Sequence, residues 1–164
     1  MSVTPDPGSF KDPEGRVLLH DGKVFRTLSD GALQRMRSLA EEGVFDSLSD
    51  KGLLIQSKLV HAKDAGLAPE EFGETVLQHE PVPVIGYPFE WSFDMLCDAA
   101  LCTLDLLEAC LDRGLILKDA TAYNVVLSKD AWFSSIPFQL RFIGTGCRGR
   151  DIRSSVGNFF SRSC

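Results

Sequence analysis

The segment from Ser92 to Gly114 constrains the fold most. Phe93, Leu96, Ala100, Leu104, Leu107 and Leu111 recur at steps of three and four, the spacing of one helical face. Asp94, Asp98, Asp105, Glu108 and Asp112 occupy much of the other side. Ser92 can cap the first turn and Gly114 can take the left-handed stop, so a helix is predicted over 92–113. Its acidic stripe reads as a solvated face rather than a metal site. His20, His61 and His79 have no partners at ligand spacing.

Ahead of this helix the chain reads as strand-rich. Val17–Leu19 and Val24–Phe25 flank Asp21-Gly22, a dipeptide suited to a hairpin turn. Ser29 or Asp30 can cap a helix over 31–42, with Leu33, Met36, Leu39 and Ala40 on one face and Gly43 as its stop. "KGLLIQSKLV" reads as a strand and "HAKDAGLAPEEFG" as a polar helical turn or loop. "ETVLQHEPVPVIGYPFEW" is extended, its prolines at 81, 83 and 88 pointing to an edge strand or a strand-to-linker passage. No internal repeat is visible.

Composition narrows the class. The 164 residues are 44% hydrophobic and 24% charged, values of a globular chain long enough for one ordinary domain. A net charge of −6 argues against a nucleic-acid binder, and no apolar run is long enough to span a membrane. The first 15 residues have neither a basic nor an apolar signal region, so a cytoplasmic protein is expected. The five cysteines show no C-x-x-C pair and read as reduced thiols rather than a disulfide framework or zinc site. Residues 1–127 hold 11 basic and 21 acidic side chains, whereas 128–164 hold 6 and 2. Three segments are expected: a flexible N-terminus over 1–11, a main module over 12–127, and an atypical, disordered tail over 128–164.

"GLILKDATAYNVVL" follows the helix. Asp119 and Asn124 stand five apart on a loop between two apolar segments, a spacing that also suits side chains satisfying backbone groups in a turn. Together with the helix before it and the apolar strand after it, "LKDATAYNVVL" resembles the catalytic loop of the protein-kinase-like fold. The resemblance implies an α+β fold, a small lobe followed by the start of the helical lobe. It makes Asp119 the base-like catalytic residue, Asn124 a magnesium ligand and Lys118 a cation steadying phosphate charge, with Mg-ATP as cofactor.

"DPEGRVLLHDGKVFR", "YPFEWSFDML" and "LKDATAYNV" resemble more narrowly the N-terminal region of bacterial S-adenosylmethionine-dependent methyltransferase proteins related to nodulation proteins. The similarity covers about residues 12–127. It implies a leader segment whose methyltransferase domain, with its S-adenosylmethionine site, lies elsewhere, and a reading frame shifted or a gene truncated from about 128 onward. No cofactor site is then expected in this chain itself, and the substrate is unknown.

Two departures bear on activity. A kinase-like site needs a second metal-binding Asp 12 or 13 residues after the Asn, but "AWFSSIPF" offers Ser135, which lacks the carboxylate charge that magnesium favours. No glycine-rich loop covers the opening hairpin, and no small-lobe Lys–Glu pair can be assigned. Gly144, Gly146 and Gly149 have dinucleotide-loop spacing, yet the later acid of that motif is missing. Three readings stand: a leader of a methyltransferase protein, a small phosphotransferase, and an interaction module. The uncovered apolar helix face leads to an expectation of self-association.

Overall fold

The computed structural model describes residues 3–9, 12–82, 86–118, 120–128, 131–134 and 140–142. The chain forms two units, one from Met1–Ser47 and Gln56–Pro81, the other from Leu48–Ile55 and Val82–Cys164.

The first unit is built on five antiparallel strands: β1 (Thr4–Pro5), β2 (Val17–His20), β3 (Lys23–Arg26), β4 (Ser57–His61) and β5 (Thr75–His79), in the order β1-β2-β3-β5-β4. Asp21 and Gly22 take φ of 51° and 70°, the turn geometry that lets β2 and β3 keep their twist. Thr4–Pro5, in the segment expected to be flexible, pair with Leu18–Leu19. Leu18, Phe25, Ala62, Leu67 and Val76 form the core on one sheet face.

Helix α1 spans Asp30–Glu41, capped by Ser29, whose hydroxyl accepts from the Ala32 amide, and it ends before Gly43 at φ 66°. Its buried residues are Ala32, Met36 and Leu39. Leu33 is half-buried and Ala40 exposed, so the helix is rotated from the expected face.

Three further expectations need correction. Gly43 ends one helix only for α2 (Val44–Asp50) to follow at once, with Val44, Phe45 and Leu48 buried. The strand expected from Lys51 begins at Ser57: the chain turns at Lys51–Gly52 and bends at Leu53, and the buried Leu54 and Ile55 precede the strand. β5 lies inside the sheet, not at its edge. Its pairing runs on to the Glu80 amide, which donates to the Gln56 carbonyl (2.9 Å), and stops where Pro81 removes the next donor. The turn-or-loop segment contains the short helix α3 (Pro69–Phe72).

In the second unit, α4 spans Phe93–Leu111, with Ser92 accepting from the Met95 amide and Gly114 at φ 67°. β6 (Leu115–Leu117) pairs with β9 (Leu140–Phe142), and β7 (Val125–Ser128) pairs with β8 (Ala131–Ser134). The β7–β8 hairpin runs across the point where composition changes. The buried side of α4 carries Ala99, Cys102, Thr103, Leu106, Leu107, Ala109 and Cys110. Phe93 and Leu104, expected to face the core, are 78% and 44% exposed. Small residues allow the close packing, so Ala, Cys and Thr face inward with Leu106 and Leu107, while Phe93, Leu101 and Leu104 turn out. The five acids of the stripe are all exposed, as expected.

Burial pushes the Cys102 thiol up to about 11, with Asp105 adding to the effect, and pushes Cys110 to about 12 against the opposing charge of Arg113. Alkylation of the native chain at pH 8 is therefore expected to label exposed Cys97 and spare Cys102 and Cys110, read by peptide mass spectrometry. Labelling of all three at equal rates would show that α4 is not packed this way. Among the described residues, no helix is long and apolar enough to cross a membrane.

Candidate functional site

In the second unit, Gly114 turns the chain out of α4 into β6, whose three residues are all buried. Lys118 follows at an exposed position. Asp119 lies outside the described residues, so its geometry with Asn124 does too. Beyond it, Ala122–Asn124 form a single 3₁₀ turn leading into β7. Ala122 and Val125 pack on Ala99 of α4, with Ala100 and Trp91 at the rim.

Asn124 is half-buried in this turn. Its amide N–H donates to the Thr121 carbonyl (2.9 Å), and its side-chain Nδ2 donates to Thr121 Oγ1 (3.0 Å). The side-chain bond fixes the amide's orientation, with the nitrogen committed to Thr121. A hard cation binds an amide through oxygen, so this orientation is compatible with a metal-ligand role for Oδ1. It equally serves the turn itself. Ser135, Ile136 and the glycines at 144, 146 and 149 lie outside the described residues, as do the side-chain surroundings of Phe133.

The first unit holds a charged cluster that sequence reasoning missed. Arg26, at the end of β3, is only 6% exposed, and its Nη1 donates to Asp12 Oδ2 at 2.9 Å. Arg35, on α1, donates from Nη2 to Glu14 Oε2 at 3.2 Å. Asp12 and Glu14 lie on one short strap ahead of β2. The Glu14 amide donates to Asp12 Oδ1 (3.0 Å), and the Glu14 carbonyl accepts from the Ser29 amide at the start of α1 (2.9 Å). A Cβ on Gly15 would overlap the Thr27 carbonyl oxygen, so the strap lies directly on the chain leaving β3. Burial lowers the pKa of Arg26, and the neighbouring Asp12 carboxylate opposes that fall.

His79 on β5 is buried beside this cluster, with Nδ1 2.8 Å from Ser57 Oγ. Burial, helped by the Arg26 charge, lowers its pKa to about 4, so it is neutral at physiological pH. Among the described residues no group of three His, Cys, Asp or Glu side chains could hold a metal ion.

Strand β3 and helix α1 thus each present an arginine, and the carboxylates opposite them come from the strap. The acids of α1, Asp30 and Glu41, are exposed. One signal was present in the sequence: an Arg at position 35, flanked on its helix by the core residues Ala32, Met36 and Leu39, needs a nearby carboxylate.

No known protein-family model matches the sequence. The chain is 39% identical over 133 residues to nodulation protein NoeA of Rhizobium meliloti (strain 1021), a match covering 76% of this chain and 26% of that protein. It therefore spans about a quarter of the length of this curated relative. In three dimensions it is similar to the kinase domain of Mycobacterium tuberculosis PknI, with TM-score 0.53 and 12% identity, covering 87% of this chain and 63% of that domain. The chain is thus related to a nodulation protein and has a protein-kinase-like α+β fold.

Proposed function

We propose that this chain is a kinase-like binding module of a methyltransferase-type protein related to nodulation proteins, without phosphotransfer or methyl transfer of its own. One observation carries the reading: the basic groups of β3 and α1, Arg26 and Arg35, are engaged by the strap carboxylates Asp12 and Glu14. A nucleotide polyphosphate arriving there would meet carboxylates as well as cations, and like charge opposes its binding. The orientation of Asn124 by Thr121 gives the 3₁₀ turn a structural role that needs no metal. On this reading, methyl transfer from S-adenosylmethionine is the work of a separate domain and not of this chain. The reduced thiols of α4 suit a cytoplasmic setting.

Thermal denaturation with Mg-ATP and, separately, with S-adenosylmethionine tests this. Neither ligand is expected to raise the melting temperature. A rise with Mg-ATP that both Asp119→Ala and Asn124→Ala abolish would make the chain a phosphotransferase of the kinase-like type instead, with Lys118 beside the phosphates. A rise with S-adenosylmethionine would place the methyl donor on this chain and overturn the proposal from the other side.

A further inference from the structure

From Tyr87 to Asp112 the chain carries six acidic residues and not one lysine, arginine or histidine. The same stretch holds five large apolar side chains turned to solvent: Tyr87, Phe89, Phe93, Leu101 and Leu104, between 44% and 78% exposed. Their placement on α4 is ordered. At about 100° per residue, Phe93, Leu104 and Leu101 fall within one arc of about 80°, and Asp94, Asp105 and Asp98 continue it over about the next 60°, with Glu108 inside the apolar arc one turn beyond Leu104. An apolar strip thus runs alongside an acidic strip on the outward side of one helix.

The aromatic end of this strip is held in place before any partner arrives. The Tyr87 and Phe89 rings stack with centroids 5.6 Å apart and planes within 4°. The turn that carries them is closed by Glu90, whose Oε2 accepts from the Tyr87 amide at 2.8 Å. Trp91 packs on Gly86 so closely that a Cβ there would stand 3.2 Å from the indole nitrogen. Rings fixed in advance lose little freedom on binding, which favours their use as anchors.

We propose that this face of α4, with the Tyr87–Phe89 pair at its end, docks a cationic amphipathic peptide segment of a partner protein. Apolar side chains of the partner cover Phe93, Leu101 and Leu104, while its lysines or arginines lie along the carboxylates and over the exposed rings. Charge decides against a second copy of this chain. Two such faces brought together would oppose carboxylates to carboxylates, on molecules that each carry a net −6. On this proposal the face takes a basic partner rather than the like face of a second copy. This rests on the binding-module reading and names the class of partner.

The test uses the full chain and a fluorescent lysine–leucine amphipathic peptide of about four helical turns, with a glutamate–leucine peptide of the same length as control. Anisotropy should show binding of the lysine peptide alone, weakening as salt rises. Phe89→Ser with Phe93→Ser should weaken it at least about tenfold while keeping its salt dependence. Asp94→Asn, Asp98→Asn and Asp105→Asn together should weaken it similarly and remove most of that salt dependence. All these positions are exposed, so circular dichroism should show unchanged folding. Equal binding of the control peptide, or lysine-peptide binding that neither set of changes reduces, would overturn the proposal. So would no binding at all, or a dimer on sizing that Phe89→Ser/Phe93→Ser converts to monomer. Nucleotide binding in the melting experiment would overturn the earlier reading and leave these outcomes untouched.

Discussion

Asp12→Ala is expected to lower the unfolding free energy by about 2–4 kcal/mol, read by urea denaturation at neutral pH. The size follows from the asymmetry of the pair. Arg26 has a side chain only 7% exposed, while Asp12 is 26% exposed. Removing the carboxylate strands most of a guanidinium away from water and also deletes the acceptor of the Glu14 amide. The nearby charges of Asp6 and Glu14 keep the loss below that of a fully isolated buried charge. Replacing both partners, Asp12→Leu with Arg26→Met, should recover much of it, because apolar groups of similar size need no pairing. A loss under about 0.5 kcal/mol for Asp12→Ala would mean that the pair behaves as an ordinary surface ion pair.

A second large effect depends on pH and on His79. Its pKa falls from 6.5 to about 4 in the folded chain, chiefly through burial. Between those values the unfolded chain binds a proton that the folded one refuses. Stability is then full above the unfolded value and falls with acidification by about 1.4 kcal/mol per pH unit, levelling near the folded value after a loss of about 3 kcal/mol. Denaturation of the native chain and of His79→Asn, compared at pH 7.5, 6 and 5, isolates this contribution from other titrating groups. Asn is the informative replacement because its side-chain amide can sit where Nδ1 meets Ser57. The variant should lose less stability between pH 7.5 and 5, and parallel curves would mean that His79 takes up its proton without penalty.

The parts of the fold visible in the sequence are those set by local chemistry. The Asp21-Gly22 turn, the Ser29 and Ser92 caps and the Gly43 and Gly114 stops each act within a few residues, and each falls where expected. What failed depended on tertiary packing. The leucines of α4 suggested one inward face, but Ala99, Cys102 and Ala109 permit closer approach, and the helix is rotated to bury them. Of the two readings the prolines after β5 allowed, an edge strand or a strand-to-linker passage, the edge fails: they begin only after its last paired amide, so an interior position costs no hydrogen bond. In the candidate site, Asn124 stood out through its spacing from Asp119. The strap pairs did not, since they join residues 14 and 21 positions apart. A sequence pattern carries no sign of such long-range pairing beyond a charged residue at a position that packing should bury.

The strap has a consequence for how this sequence can drift over generations. Its four residues are unequal: Asp12 and Glu14 each hold an arginine, Gly15 has no room for a side chain, and Pro13 is exposed. Descendants of a common ancestor that retain this architecture should therefore keep acid-x-acid-glycine ahead of the hairpin and vary freely at its second place. Where the first acid is exchanged for an apolar residue, the arginine at the end of β3 should be exchanged in the same lineage, because either change alone leaves a charge or a gap that the other removes.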